Sequence, residues 1–230
     1  AAERSSNRDL GVEILGVGLG ESGRRFRCSE ASLERGESLV ATASTVSAFL
    51  LIEEPGPWGP EVLQCYRLPD AVRARCTPWE REWGVRPLLM RRPGRTPPGP
   101  RRIFVVNARH GWAETALVDE LDAVADLDLS GVRSASGVGL EPHPEPLLLV
   151  CTHGRHDACC AEQGRPLASA LRAAYGDAVW ECSHLGGDRF AANLLILPGG
   201  YCYGRLGPDA GVRVVADHLA GRLDLAHFRG

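Results

Sequence analysis

The chain has 230 residues, 44% hydrophobic and 24% charged, so it is long and apolar enough to bury a core without disulfide bonds. Its net charge of −3 argues against a nucleic-acid-binding surface covering the domain, and no apolar stretch is long enough to cross a membrane. All 26 basic residues are arginines, and the absence of lysine excludes Schiff-base enzymes and P-loop phosphate sites.

Cysteine usage directs attention to the C-terminal part of the chain. Residues 1–10 are polar and charged and lack the apolar core of a signal peptide, so we expect a cytoplasmic protein without disulfides. Five of the eight cysteines lie between positions 151 and 202, which favours a metal or redox site there. The eight are Cys28, Cys65, Cys76, Cys151, Cys159, Cys160, Cys182 and Cys202.

Strand and helix patterns follow one another twice along the chain. In the first half, strands are predicted at 49–54, 86–90, 102–107 and 113–118. Residues 61–83 are predicted to be mostly helical with interruptions near Pro69 and Pro78, and residues 119–127 to form a closing helix.

The second half repeats this order after a segment rich in small residues and proline, 134–146, where we place the domain boundary. Strands are predicted at 147–150, 178–182, 194–197 and 201–206, and helices at 165–175, with Pro166 in the first turn, and at 212–219. This β-α-β-β-β-α order is thioredoxin-like. We therefore expect an α/β protein of two thioredoxin-like lobes, each a mixed sheet flanked by helices, covering residues 1–140 and 141–230.

Ligand-type side chains follow two predicted strands of the second half. Cys151 ends the first of these strands, and its loop leads to Cys160; Cys182 ends the next strand and is followed by His184. If the two strands are parallel neighbours, both loops lie at the same edge of the sheet. Thiolates and imidazoles that converge on one point suit zinc or an iron–sulfur cluster.

At these residues the sequence resembles the sucrase/ferredoxin-like family of thioredoxin-fold [2Fe–2S] proteins. The motifs are CTHGRHDACCAEQGRP at 151–166, SHLGGDRFAANLLILP at 183–198 and YGR at 203–205, with further similarity in RCS at 27–29 and FLLIEEPGPWG at 49–59. The resemblance covers most of the chain and implies that Cys151, Cys160 and His184 are cluster ligands. Where family members have a second ligand histidine, this chain has Asp188.

The fourth ligand stays open between two residues. Cys182 lies two residues before His184, so on an extended strand both side chains face the same way, and its thiolate would complete a set of three cysteines and one histidine. Asp188 occupies the family position, but a carboxylate is a hard ligand for such a cluster. Cys159 and Cys202 are less favoured alternatives.

Three functions of different classes fit this pattern. We expect an electron-transfer protein, a carrier rather than an enzyme, with one [2Fe–2S] cluster, mixed Cys/His ligation and a protein redox partner, and with no nucleic-acid or membrane partner. The alternatives are a thiol–disulfide redox protein, which the missing CxxC motif disfavours, and a zinc-stabilised interaction module. The first lobe carries none of the predicted ligands and is expected to be structural or to dock a partner.

Other residues have simpler expected roles. Cys28, Cys65 and Cys76 are predicted to be buried and to pack like small apolar side chains. Asp157 is predicted to stabilise the loop before Cys160 through an Asx-type hydrogen bond.

Overall fold

The computed structural model describes residues 26–94 and 96–230, and these ranges contain four α-helices and nine strands. The helices are α1 (Cys28–Glu34), α2 (Asp70–Trp83), α3 (Ala158–Tyr175) and α4 (Pro208–Leu219). The strands are β1 (Ala48–Glu53), β2 (Val85–Arg91), β3 (Arg101–Asn107), β4 (Trp112–Val118), β5 (Glu141–Pro142), β6 (Leu147–Cys151), β7 (Val179–Cys182), β8 (Leu194–Leu197) and β9 (Tyr201–Tyr203).

The strands lie in one mixed sheet in the order β5-β4-β3-β1-β2-β7-β6-β8-β9. β1 pairs in parallel with β2 and antiparallel with β3, which pairs antiparallel with β4. β6 likewise pairs in parallel with β7 and antiparallel with β8, which pairs antiparallel with β9. The strands β1 and β6 therefore occupy equivalent positions in the two halves of the sheet.

The two halves share this sheet, which corrects the expectation of a separate sheet in each half. β2 meets β7 antiparallel, with Met90 opposite Cys182 and Arg91 opposite Glu181. Nε of Arg91 also donates to the Glu181 carboxylate at 2.7 Å, so an ion pair spans the junction. Local patterns identify the strands but not this junction, because it depends on a short pairing between residues distant in the chain.

Alternation along the two central strands divides the core into three clusters. Even-numbered residues of β1 pack against α2, and even-numbered residues of β6 pack against α3 and α4. The odd-numbered apolar residues of both strands, Cys151 among them, join a third cluster that contains side chains from both halves. Cys151 therefore lies at the contact between the halves.

Two helices extend through prolines, contrary to the sequence prediction. α2 continues through Pro78, and α3 begins at Ala158, so Pro166 lies well inside it. α3 begins early because Oδ1 of Asp157 accepts a hydrogen bond from the Cys159 N–H at 2.7 Å, which confirms the predicted Asx-type bond. We attribute the tolerance of each proline, which removes one helical hydrogen bond, to packing of these helices on the sheet.

The predicted closing helix at 119–127 is only the 3-10 segment Leu121–Asp126. None of the helices in the described ranges has the length and apolar character that a membrane crossing requires. Residues 1–10, for which the sequence predicts no signal peptide, lie outside those ranges, and the boundary within 134–146 stays a prediction.

Candidate metal centre

Two thiols and one imidazole meet at the carboxyl end of β6. The sulfur atoms of Cys151 and Cys160 and a ring nitrogen of His184 all lie within 4.8 Å of one another. The Cys160 Sγ is 3.7 Å from Nδ1 of His184, both thiols are buried, and His184 is half-buried. We call these three residues the Cys/Cys/His group. They are the three residues to which the family resemblance assigns ligation, and the fold brings them together.

A strand end and a helix start deliver the two thiols. Cys151 is the last residue of β6, and Cys160 lies in the first turn of α3. One turn further along, Gly164 allows α3 to approach the strand, because a side chain there would collide with the Cys151 carbonyl oxygen. The glycine therefore sets the separation between the elements that carry the two thiols.

The contact between Cys151 and Cys160 shifts the pKa values of the two thiols in opposite directions. A hydrogen bond with Cys160 lowers the pKa of Cys151, and the same contact, together with burial, raises the pKa of Cys160. The Cys151 thiol is therefore the more readily deprotonated of the two. A thiolate is the form in which cysteine binds a metal ion.

His153 positions His184. The backbone N–H of His184 donates to Nδ1 of His153 at 3.2 Å, so the proton of the neutral His153 ring is on Nε2, which donates to the Gly59 carbonyl at 2.6 Å. Burial lowers the pKa of His153, and the ring is therefore neutral with both nitrogens engaged. His156 stacks on His184, with ring centroids 3.7 Å apart and an interplanar angle of 25°.

Two arginines hold the loop that follows His184. Gly186 and Gly187 have φ values of 90° and 74°, and a side chain at Gly187 would collide with the Arg229 guanidinium. Arg229 is buried and donates to the Gly186 carbonyl at 3.0 Å, while Arg86 of β2 donates to the His184 carbonyl at 3.0 Å. Sequence reasoning missed both arginines, because neither belongs to a local motif of the loop.

Cys182 lies beside Cys151 but outside the Cys/Cys/His group. The two residues are register partners on the parallel strands β6 and β7, and both belong to the cluster shared by the halves. Burial raises the pKa of the Cys182 thiol. Among the described residues, the ligand atoms that lie within 4.8 Å of one another at Cys151 are those of Cys151, Cys160 and His184, and the Cys182 sulfur is not one of them. The ligation of Cys182 therefore stays a prediction.

Three other cysteines pack in the core. Cys65 and Cys76 are buried in the cluster that α2 and β1 form in the first half, as predicted. Cys202 is buried, with its sulfur 3.6 Å from the Arg229 guanidinium.

Cys28 lies in a second polar group, which differs from the buried apolar position predicted for it. The half-buried Cys28 has its sulfur 3.3 Å from Oδ2 of Asp188, 3.5 Å from Sγ of Cys159 and 3.6 Å from Oδ2 of Asp157. The prediction was wrong because α1 packs against the 3-10 turn Asp188–Phe190. Residues this far apart in the chain leave no local pattern of their contact.

A cleft of about 420 Å³ opens beside His184. Its lining combines Glu61, Gln64 and Arg86 of the first half with His153 and His184 of the second. The imidazole of the Cys/Cys/His group is therefore flanked by side chains of the other half.

A mixed α/β fold that gathers two thiols and an imidazole at strand and helix ends defines a protein with a candidate Cys/His metal centre. Comparison with protein families matches residues 39–230 to the family described as Sucrase/ferredoxin-like. The chain belongs to this family, which confirms the resemblance seen in its motifs. Cys28 precedes the matched range. No curated protein and no solved structure matches the chain.

Proposed function

We propose that this protein transfers electrons through one [2Fe–2S] cluster held by Cys151, Cys160, His184 and a fourth ligand. The observation that carries the proposal is the meeting of these three side chains within 4.8 Å in a member of the sucrase/ferredoxin-like family. Thiolates are the usual ligands of iron–sulfur clusters, and imidazoles replace some of them in certain clusters. When bound, the cluster supplies one-electron chemistry.

The surroundings of the three ligands fit such a group. Cys151 and Cys160 lie in the apolar cluster between the halves, which keeps water away from the sulfur atoms. The backbone of His184 is held by His153 and Arg86, and its Nδ1 is directed at Cys160. The chain's own residues therefore orient the imidazole toward the thiols.

For the fourth ligand we propose Cys182, with Asp188 as the alternative. Cys182 is the register partner of Cys151, and neighbouring strands lie about 4.8 Å apart. The Asp188 carboxylate is instead 3.3 Å from Cys28, and carboxylate is the harder ligand. The iron content of Cys182→Ala compared with Asp188→Ala decides between them, because only loss of the true ligand lowers it strongly.

We further infer that the halves are two thioredoxin-like lobes, divided within residues 134–146, and that the first lobe docks a protein redox partner. The shared strand order of the halves supports the first inference. The cleft beside His184 supports the second, because Glu61 and Gln64 of the first half flank the imidazole there. A partner bound in this cleft would meet both halves.

The test of the cluster is the absorption spectrum and composition of anaerobically purified protein. We expect visible absorption at about 400–500 nm, characteristic of [2Fe–2S] clusters, with two iron and two sulfide per chain. Reduction with dithionite should bleach the absorption and produce an EPR signal. A colourless protein without iron or sulfide, also after anaerobic reconstitution with both, would overturn the proposal.

Thiol–disulfide chemistry is the second candidate, because the Cys151 and Cys160 thiols are in hydrogen-bond contact and this contact lowers the pKa of Cys151. Metal-free protein in which these two thiols react fast with a disulfide reagent would select this function. Colourless protein with one zinc per chain, lost in Cys151→Ala, would select the zinc-stabilised interaction module.

A further inference from the structure

We propose that Cys28, Cys159, Asp157 and Asp188 form a second metal site that binds one thiophilic divalent cation, such as Zn²⁺. The site lies where α1 meets the first turn of α3 and the turn Asp188–Phe190. It is separate from the Cys/Cys/His group, and the proposal does not depend on the cluster proposed above.

The distances match those of a tetrahedral ion. The ligand atoms of Cys28, Asp157 and Cys159 all lie within 4.8 Å of one another, whereas Asp188 lies outside this group and joins the site through its contact with Cys28. The Cys28 sulfur is 3.5 Å from the Cys159 sulfur and 3.6 and 3.3 Å from carboxylate oxygens of Asp157 and Asp188. Tetrahedral zinc, with Zn–S of ~2.3 Å and Zn–O of ~2.0 Å, separates two sulfur ligands by ~3.8 Å and a sulfur from an oxygen ligand by ~3.5 Å.

Each carboxylate has an oxygen available for this purpose. Asp157 uses Oδ1 to cap α3 through the Cys159 N–H, and its Oδ2 faces Cys28. Asp188 likewise directs Oδ2 at Cys28. The helix cap therefore fixes the orientation of one proposed ligand before any ion binds.

The group brings together four side chains that can each carry negative charge. Negative charges this close together repel one another. A divalent cation would reverse this repulsion and stabilise both thiolates. The neighbouring Arg27 guanidinium is paired with Glu162, at 2.6 and 2.5 Å.

Contacts made by residues in α1 and on both sides of it hold this helix over the site. Arg27 pairs with Glu162 of α3, Arg205 donates to the Ser32 hydroxyl at 3.0 Å, and Arg189 donates to Glu37 at 2.9 Å. These contacts place the Cys28 thiol without requiring an ion. A bound ion would add a fixed attachment between α1 and the second half.

The test measures zinc and iron together in the full chain, after anaerobic purification from zinc-supplemented medium and gel filtration with a weak chelator. We expect about one zinc per chain, with two sulfur and two oxygen ligands by X-ray absorption at the zinc edge. Zinc should fall at least tenfold in Cys28→Ser and in Cys159→Ser, while iron stays unchanged. Cys65→Ser, which removes a buried thiol of the first half, should change neither metal.

Other variants separate this proposal from that of the cluster. Cys151→Ala should lose iron and keep zinc, and Asp188→Asn should weaken zinc binding even if one thiol variant fails to fold. Absence of zinc from the wild type, or its retention in Cys28→Ser, would overturn the second site. Loss of iron in Cys28→Ser would assign Cys28 to the cluster instead, and a Cys28–Cys159 disulfide in zinc-free protein would assign the pair to thiol chemistry.

Discussion

The two halves of the sheet have the same strand order but place different chemistry at the ends of their central strands. β1 is followed by Glu54, which is buried and accepts hydrogen bonds from the Arg67 guanidinium at 2.6 Å and the Gly56 N–H at 3.0 Å. β6 ends in Cys151, which lies with Cys160 and His184. In the first half the Glu54 carboxylate is paired with the Arg67 guanidinium, whereas the second half gathers two thiols and an imidazole.

The difference arises in the connection from strand to helix. After β6 the chain enters α3 almost at once, and the Asp157 cap lets the first helical turn present Cys160 to Cys151. After β1 the chain passes through the 3-10 turn Val62–Gln64 before α2 begins. The repeated topology therefore does not by itself gather such side chains; in the second half the short, capped connection brings the Cys160 thiol to Cys151.

The largest expected effect separates the thiols of the two halves. Cys151→Ala or Cys160→Ala should abolish iron binding, because each change removes a proposed thiolate ligand. Cys65→Ala and Cys76→Ala remove equally buried thiols of the first half and should retain full iron content. Iron, sulfide and visible absorption measured on all four variants test this contrast, and equal losses in both halves would contradict it.

A large but incomplete effect is expected from Gly164→Ala. The new Cβ would collide with the Cys151 carbonyl oxygen, so α3 must shift away from β6. We expect loss of most iron and a decrease of about 2 kcal/mol in the free energy of unfolding. Gly207→Ala is the matched control, because a Cβ there meets nothing within 4 Å. Iron content and urea denaturation should distinguish them; normal iron in Gly164→Ala would show that this helix position does not control the site.

The smallest effect is expected at the strand end of the first half. Glu54→Gln removes the carboxylate charge that pairs with the partly exposed Arg67 guanidinium, so stability should fall by about 1 kcal/mol. Iron content should stay at the wild-type value. Denaturation and metal analysis of this variant sharpen the comparison, since loss of iron would show that the first half contributes to the centre.

Much of this organisation could be predicted from the sequence because it is local. Short apolar runs predicted the strands at 49–54 and 147–150, and the family resemblance of the motifs around Cys151, Cys160 and His184 implied which side chains would meet. Contacts between distant residues could not be predicted in this way. Cys28 meets Asp188 through packing of α1, and Arg229 reaches Gly186 from near the end of the chain.

The wrong prediction at Pro166 has a different cause. Pro166 predicted a helix start on statistical grounds, yet the Asp157 cap moved the start to Ala158. The capping side chain, and not the position of the proline, therefore determines where the helix starts.

The most direct test of the central claim is pulsed EPR of the reduced protein labelled with ¹⁵N-histidine. The account predicts one strongly coupled histidine nitrogen in the wild type, and its loss in His184→Cys, which should keep iron and sulfide. The added thiolate should also lower the reduction potential, by roughly 100 mV or more, since imidazole ligation raises it. No coupled nitrogen in the wild type, or an unchanged nitrogen coupling in His184→Cys, would remove His184 from the centre and contradict the proposed Cys/Cys/His ligation.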